Sequence, residues 1–265
     1  MQLGLEGKRA IVTGASRGIG AAVARALAAE GCRVGLIART GVDMDAQASS
    51  IVAGGGGPAV VAVADLATPA GVDLGIGTCI EGLGGVDILV NNAGASPFGT
   101  IDQLDDSQWQ AAFDLKVMGY LRCMRKVLGP MREQRWGRIV NVGGVAGMRA
   151  SSGYALAALN AALIHLTRST AELVGPDGVN VISIHPGPTL TDRILTLFAP
   201  AAAKAGMDPE QYAHEVVAKD IPARRLATAE DIAAGVVFAV SDRAAMITGG
   251  GMSIDGGTAR GLVGG

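Results

Sequence analysis

Thr13-Gly14-Ala15-Ser16-Arg17-Gly18-Ile19-Gly20 follows the apolar run Arg9-Ala10-Ile11-Val12 and opens a helical pattern, Ala21 to Ala29. A strand, a glycine turn and a helix in that order are the parts of a phosphate cradle. Gly14 allows a sharp turn, and Gly18 and Gly20 remove side chains that would hold a pyrophosphate away from the backbone. The first N–H groups of the helix have no partner within it and face the anion. Ser16, Arg17 and Ile19 fill the turn between the glycines. A glycine-rich surface turn with no ligand is the plainer alternative.

Outward from that turn the same grammar repeats. Val34–Ala38, Val60–Val63, Ile88–Val90, Arg138–Val142 and Val179–Ile184 are short apolar runs separated by helical patterns, each read as a strand buried on both faces of a parallel sheet. Gly251–Ile254, after a helix over Ala229–Val240, adds an edge strand. This predicts an α/β fold, a Rossmann-type doubly wound parallel sheet of about seven strands. No linker or repeat divides residues 1–265, so one domain is expected. Gly54–Gly57 reads as a loose turn before the third strand. The stretch 188–224 mixes helical pieces with Pro200, Gly206, Pro209 and Pro222 beyond the sixth strand, where an insertion would act as a substrate lid or as a static helix pair.

Composition excludes several classes. Hydrophobic residues make up 49% of the chain and charged ones 17%, so a large core is expected, and a net charge of −2 argues against a nucleic-acid footprint or a basic membrane patch. Cys32, Cys79 and Cys123 are odd in number and lack C-x-x-C spacing, which suggests neither a disulfide framework nor a zinc site. No His/carboxylate cluster has metal-ligand spacing, so no metal is expected. With no leader-like apolar segment and no membrane-length run, a cytoplasmic location is the expectation.

Several ordered motifs now resemble the short-chain dehydrogenase/reductase family over nearly the whole chain. After the glycine turn come Asp65-Leu66, then Asn91-Asn92-Ala93-Gly94, then Pro186-Gly187 with Thr189 and Thr191. The chain closes on Ile247-Thr248-Gly249-Gly250 and Asp255-Gly256-Gly257. The resemblance implies that Asp65 and Leu66 hold the adenine and that Asn92, Ala93 and Gly94 approach the adenosine ribose. It also implies that Pro186, Gly187, Thr189 and Thr191 hold the nicotinamide carboxamide and phosphates. Asp65 could instead be only a helix cap. The second strand ends Ala38-Arg39-Thr40, with no carboxylate for a ribose diol, and Arg39 with Arg17 could bracket a 2′-phosphate. NADP(H) is therefore expected over NAD(H), unless Arg39 is an ordinary surface cation.

The family's ketone chemistry rests on a Tyr proton donor, a Lys one helical turn later, a Ser and an Asn. Here the register fixed by Ala161–Thr167 puts Asn160 at the Lys position, Leu156 at the Tyr position, Gly144 at the Ser position and Lys116 at the Asn position. Lys and Asn have in effect exchanged helices. Lys116 is the candidate for stabilising a developing alkoxide, and Asn160 for orienting substrate or a water. Tyr154, two residues early, would donate a proton if the Ser151-Ser152-Gly153 turn brings it round, and otherwise packs. Lys116 could also be a solvent-facing or interface lysine. His185 reads as a strand-end core residue. Apolar lid positions Leu190, Ile194, Leu195, Leu197 and Phe198 favour an apolar carbonyl or alcohol substrate, or simply pin the lid. Helices over Ser107–Glu133 and Tyr154–Val174, with Ala155, Ala157, Ala158, Ala161 and Ala162, suit a homo-oligomer, tetramer or dimer. A catalytically degenerate cofactor-binding protein and a non-redox enzyme on the same fold remain the alternatives.

Overall fold

The computed structural model describes residues 2–94, 97–149 and 153–259; Ser151 and Ser152 lie outside them. Its strands are β1 (Arg9–Thr13), β2 (Arg33–Ala38), β3 (Val60–Val63), β4 (Ile88–Asn91), β5 (Gly137–Val142), β6 (Val179–Pro186) and β7 (Gly251–Ile254). The helices are α1 (Gly18–Ala29), α2 (Gly41–Ala53), α3 (Pro69–Leu83), α4 (Asp106–Phe113), α5 (Gly119–Glu133), α6 (Ala158–Val174), α7 (Asp192–Lys204), α8 (Pro209–Glu215) and α9 (Ala229–Val240).

All the strands run parallel in the order β3-β2-β1-β4-β5-β6-β7. The chain winds from β1 out to β3, then returns to lay β4 on the other side of β1. That reversal opens a crevice at the carboxyl ends of β1 and β4, where ligands bind in open α/β sheets. Alternation along each strand divides the core. Ala10 and Val12 of β1 face the layer under α1 and α9, while Ile11 faces the layer under α3 and α5. At the start of the crevice pair, Arg9 of β1 donates to Asp87 through Nε (2.7 Å) and Nη2 (2.7 Å).

Two expectations need correction. The edge strands are not buried on both faces: Val63 at the end of β3 is 51% exposed, and β7 is only partly covered. With a neighbour on one side only, an edge strand extends beyond the helices that cap the central sheet. The segment expected as one helix over Ser107–Glu133 is broken by a wide, π-type turn, Asp114–Met118, a feature that often marks a functional site. Lys116 stands on that turn.

The insertion after β6 is anchored where it leaves and re-enters the sheet. Leu190 N–H donates to Ala227 O (2.8 Å) and Ala227 N–H to Pro188 O (3.1 Å). Gly206, at φ +71°, ends α7, and Asp208 caps α8 with Pro209 as its first residue. Leu190, Leu195 and Phe198 pack with Ala213, Ala218 and Ile221 into a small core of their own.

Candidate functional site

The two turns flanking the crevice are tied together by one threonine and one asparagine. Thr13 Oγ1 accepts from the N–H groups of Asn92 (2.9 Å) and Ala93 (3.0 Å), and Asn92 Nδ2 donates to Thr13 O (3.0 Å) and Gly14 O (3.2 Å). Such close knitting requires glycine. Gly14 sits at φ +65°, and a Cβ there would lie 2.9 Å from Ala93 Cα. A Cβ on Gly20 would come 2.2 Å from Gly14 O. Gly20 thus shapes the cradle by packing beneath it. Arg17 precedes α1 in extended conformation, with no side-chain cap and no acidic residue in the first turn. The helix therefore keeps its N–H groups and partial positive charge for an anion.

A cleft of about 730 Å³ runs from this turn across the carboxyl ends of the strands, within the size range of cofactor sites. Of the sequence-predicted residues, Gly14, Ser16, Arg17, Gly18, Ile19, Arg39, Asp65, Leu66, Asn92, Ala93, Gly94 and Thr191 line it. Asp65 is not a helix cap. Its Oδ1 accepts from Ala67 N–H (3.1 Å), while the cap of α3 is Thr68, which accepts from Gly71 N–H (3.0 Å).

Pro186, Gly187 and Thr189 do not line the cleft. Gly187 N–H donates to Ile254 O (3.0 Å), and a Cβ there would meet Asp255 Cβ at 2.7 Å, so this turn is packed against the closing segment of the chain. Thr189 is buried and spends its hydroxyl on Gly187 O (3.0 Å). Thr191 does reach the cradle: a Cβ on Gly18 would lie 3.5 Å from its methyl group.

Sequence reasoning missed Thr40, Asp43, Phe98, Leu115 and Arg193, all of which line the cleft. Asp43 puts a carboxylate into the cleft that Arg39 also lines, on the first turn of α2, where Thr40 Oγ1 donates to it (3.1 Å). Arg193, on the first turn of α7, reaches across to donate to Gly94 O (3.1 Å).

Lys116 and Asn160 meet the end of β5 from two sides. The Lys116 stem lies against Gly94, whose imagined Cβ would be 3.7 Å from Lys116 Cδ, and Nζ donates to Gly143 O at 3.4 Å. Burial, then the nearby Arg193 charge, push its pKa down to about 8. Asn160 is buried behind Gly144, where a Cβ would stand 3.1 Å from its Nδ2, so Gly144 leaves the amide its space. Its Oδ1 is buried and has no hydrogen-bond partner.

The Tyr154 ring stacks on Phe98, which lines the cleft, with centroids 4.3 Å apart. Lys116, Tyr154 and Asn160 are themselves not among the residues lining it. Leu156, at the position expected for the family's tyrosine, is completely buried with Leu104, Ala112 and Leu159. His185 is fully buried, with Nε2 2.8 Å from Ser183 Oγ and Nδ1 unpartnered. Burial, helped by Lys116, pushes its pKa down to about 4, which keeps it neutral.

Comparison with known proteins gives this geometry its family. A profile described as "short chain dehydrogenase" matches residues 8–200. The chain belongs to the short-chain dehydrogenase family. It is 36% identical over 250 residues to a short-chain reductase protein, NovJ, from Streptomyces niveus, covering 94% of this chain and 92% of the relative. It is 34% identical over 261 residues to a 3-alpha-(or 20-beta)-hydroxysteroid dehydrogenase of Mycobacterium tuberculosis, covering 97% and 92%. The crystal structure of L-sorbose reductase from Gluconobacter frateurii, complexed with NADPH and L-sorbose, superposes with a TM-score of 0.94 at 32% identity, covering 99% of this chain and all of that one. Among the described residues no helix is long and apolar enough to cross a membrane, and no group of three His, Cys, Asp or Glu could hold a metal.

Proposed function

We propose that the chain is an NADP(H)-dependent oxidoreductase that interconverts a carbonyl and an alcohol, with Lys116 taking the place of the family's tyrosine as proton donor. The observation that carries this reading is the placement of the Lys116 ammonium between Gly94 and Gly143, at the carboxyl ends of β4 and β5, with a pKa about 8. A group that exchanges its proton near neutrality suits general acid work.

The residues fit the cofactor. The glycine turn and the uncapped α1 would take the pyrophosphate, and Arg17 and Arg39 would hold a 2′-phosphate against the opposing charge of Asp43. NADPH, when bound, supplies a hydride to the carbonyl carbon. The chain's part is to hold the carbonyl oxygen at Lys116 Nζ and give it a proton as it becomes the alcohol oxygen. Asn160 offers its unpartnered Oδ1 to a water or substrate hydroxyl behind Gly144. Tyr154 backs Phe98 of the cleft wall, and the 188–224 insertion acts as the lid of a one-domain enzyme.

A second reading, a cofactor-binding protein without turnover, is favoured by one observation: completely buried Leu156 cannot protonate a substrate. A cytoplasmic homo-oligomer is also proposed, supported by the small exposed side chains Ala158, Ala161 and Ala162 on α6; a monomer in sizing chromatography would contradict the assembly. Calorimetric titration with NADPH and NADH, followed by NADPH consumption over a panel of carbonyls, tests the main reading. NADPH should bind tighter and be consumed; tighter NADH binding overturns the cofactor assignment, and binding without consumption favours the silent reading.

A further inference from the structure

The NADP(H) reading of the cleft gives Arg17 and Arg39 a task and leaves the carboxylate beside them unexplained; the present inference rests on that reading. Asp43 lines the cleft with both arginines, from the first turn of α2. An acidic residue in a first helical turn ordinarily closes a cap or balances the helix dipole. The chain shows elsewhere what such a cap looks like. Thr228-Ala229-Glu230-Asp231, at the start of α9, has the spacing of Thr40-Gly41-Val42-Asp43 and forms a full capping box. Thr228 Oγ1 accepts from Asp231 N–H (3.1 Å), and Asp231 Oδ2 accepts from Thr228 N–H (2.8 Å). The remaining oxygen, Oδ1, accepts from Arg225 Nη2 (3.0 Å).

At α2 the same pattern stays open. Thr40 makes no side-chain cap bond, and its hydroxyl donates to Asp43 Oδ2 (3.1 Å). Among the described residues Asp43 Oδ1 has no hydrogen-bond partner, and the Arg17 and Arg39 side chains have neither a hydrogen bond nor an ion pair. The end of the cleft at β2 and β3 therefore presents two cations and one carboxylate, none of them neutralised by another. These charges ask for different ligands. Guanidinium groups donate to a phosphate, whereas a carboxylate repels it and accepts from hydroxyl groups.

We propose that the cleft takes NAD(H) as a second cofactor, with Asp43 accepting from the adenosine ribose hydroxyls while Arg17 and Arg39 serve the 2′-phosphate of NADP(H). β2 ends without the carboxylate that a ribose diol calls for, and α2 supplies one from four residues beyond Arg39. Thr40 fixes one oxygen of Asp43 and leaves the other for the diol. Asp43 thereby sets the size of the cofactor preference, because its charge holds NADPH affinity below what the two arginines alone would give.

The test is calorimetric titration of the full chain with NADPH and with NADH, for wild type, Asp43→Asn and Asp43→Ala. Wild type should bind both nucleotides, NADPH the tighter. Asp43→Asn should tighten NADPH about 3- to 10-fold, the scale on which one unit charge acts on another a few ångströms away in water. That gain should fade at about 0.5 M salt, where exposed charges are screened. Asp43→Ala should weaken NADH about tenfold, the low end for a hydrogen bond to a charged group. The ratio of the two affinities is the deciding readout, since damage to the start of α2 alone would weaken both nucleotides together.

A ratio within about twofold of wild type in both variants overturns the inference and leaves the NADP(H) assignment standing. NADPH binding without detectable NADH binding by the wild type also overturns it. Failure of the wild type to bind either nucleotide removes the underlying reading and this inference with it.

Discussion

Replacing Lys116 with Met should make the protein more stable and less active, and the two effects should follow different pH dependences. The charged form of Lys116 is disfavoured in the folded chain, where its pKa falls from 10.5 to about 8. At about 1.4 kcal/mol per pKa unit, that shift corresponds to a penalty of about 3 kcal/mol when the lysine is charged in both states. The sign follows from proton binding. Between about pH 8 and 10.5 the unfolded chain holds the proton and the folded chain does not, so stability rises with pH across that window and the penalty is fully present below it.

Methionine keeps the unbranched stem against Gly94 without the charge, and gives up only the long hydrogen bond to Gly143 O (3.4 Å). A net gain of about 2 kcal/mol near pH 7 is expected, or roughly 4–8 °C in Tm for a chain of this size. Thermal unfolding of wild type and Lys116→Met across pH 7 to 10 measures it, and the gap between them should close as pH rises. No gap at pH 7, or a gap independent of pH, would refute the reasoning. Stability gained by removing a site residue is the expected mark of a group retained for chemistry.

Three further perturbations probe other parts of the molecule. Arg39→Ala should weaken NADPH binding about 10- to 100-fold by calorimetry, the worth of a charge-assisted hydrogen bond, and leave NADH within about twofold. Asp87→Asn should destabilise the fold by about 1–3 kcal/mol at neutral pH in urea unfolding. Arg9 holds the Asp87 carboxyl below its usual pKa, so this contribution is present above the carboxylate range and is lost as pH falls through it; the difference from wild type should shrink in acid. Leu156→Tyr should not confer the family's usual proton donor. It overfills the packed site among Leu104, Ala112 and Leu159 at a cost of about 1–3 kcal/mol, read as a lower Tm with no gain in turnover.

The sheet and the glycine turn at the start of α1 were legible because both are local in sequence. Apolar runs with turn residues between them mark strands, and Gly14, Gly18 and Gly20 answer to steric demands within a few residues of themselves. That Lys116 and Asn160 approach the end of β5 was legible too, since the register of α6 could be counted back from Ala161. What escaped depends on tertiary closure. Arg193 reads as one more residue on a helix start until the insertion after β6 brings its guanidinium to Gly94. Gly144 reads as a lost serine until its closeness to the Asn160 amide shows why a small residue stands there. Pro186 and Gly187 pack against the closing strand and Thr189 pairs with Ala227, while Thr191 in the same segment lines the cleft, and no local signal distinguishes them. Tyr154 lies near the right place in sequence, but its contact with Phe98 turns on a backbone path that periodicity does not encode.

The most direct test of Lys116 as the proton donor is the pH dependence of a single turnover, followed by loss of NADPH absorbance in rapid mixing with a saturating ketone substrate. The wild type should hold a constant rate at low pH and lose it as pH rises through about 8, where the Nζ proton is given up. Lys116→Met should bind NADPH within about threefold of wild type and turn over about 10²- to 10⁴-fold more slowly, with that inflection gone. A variant that turns over at the wild-type rate, with the same inflection near pH 8, would contradict the account.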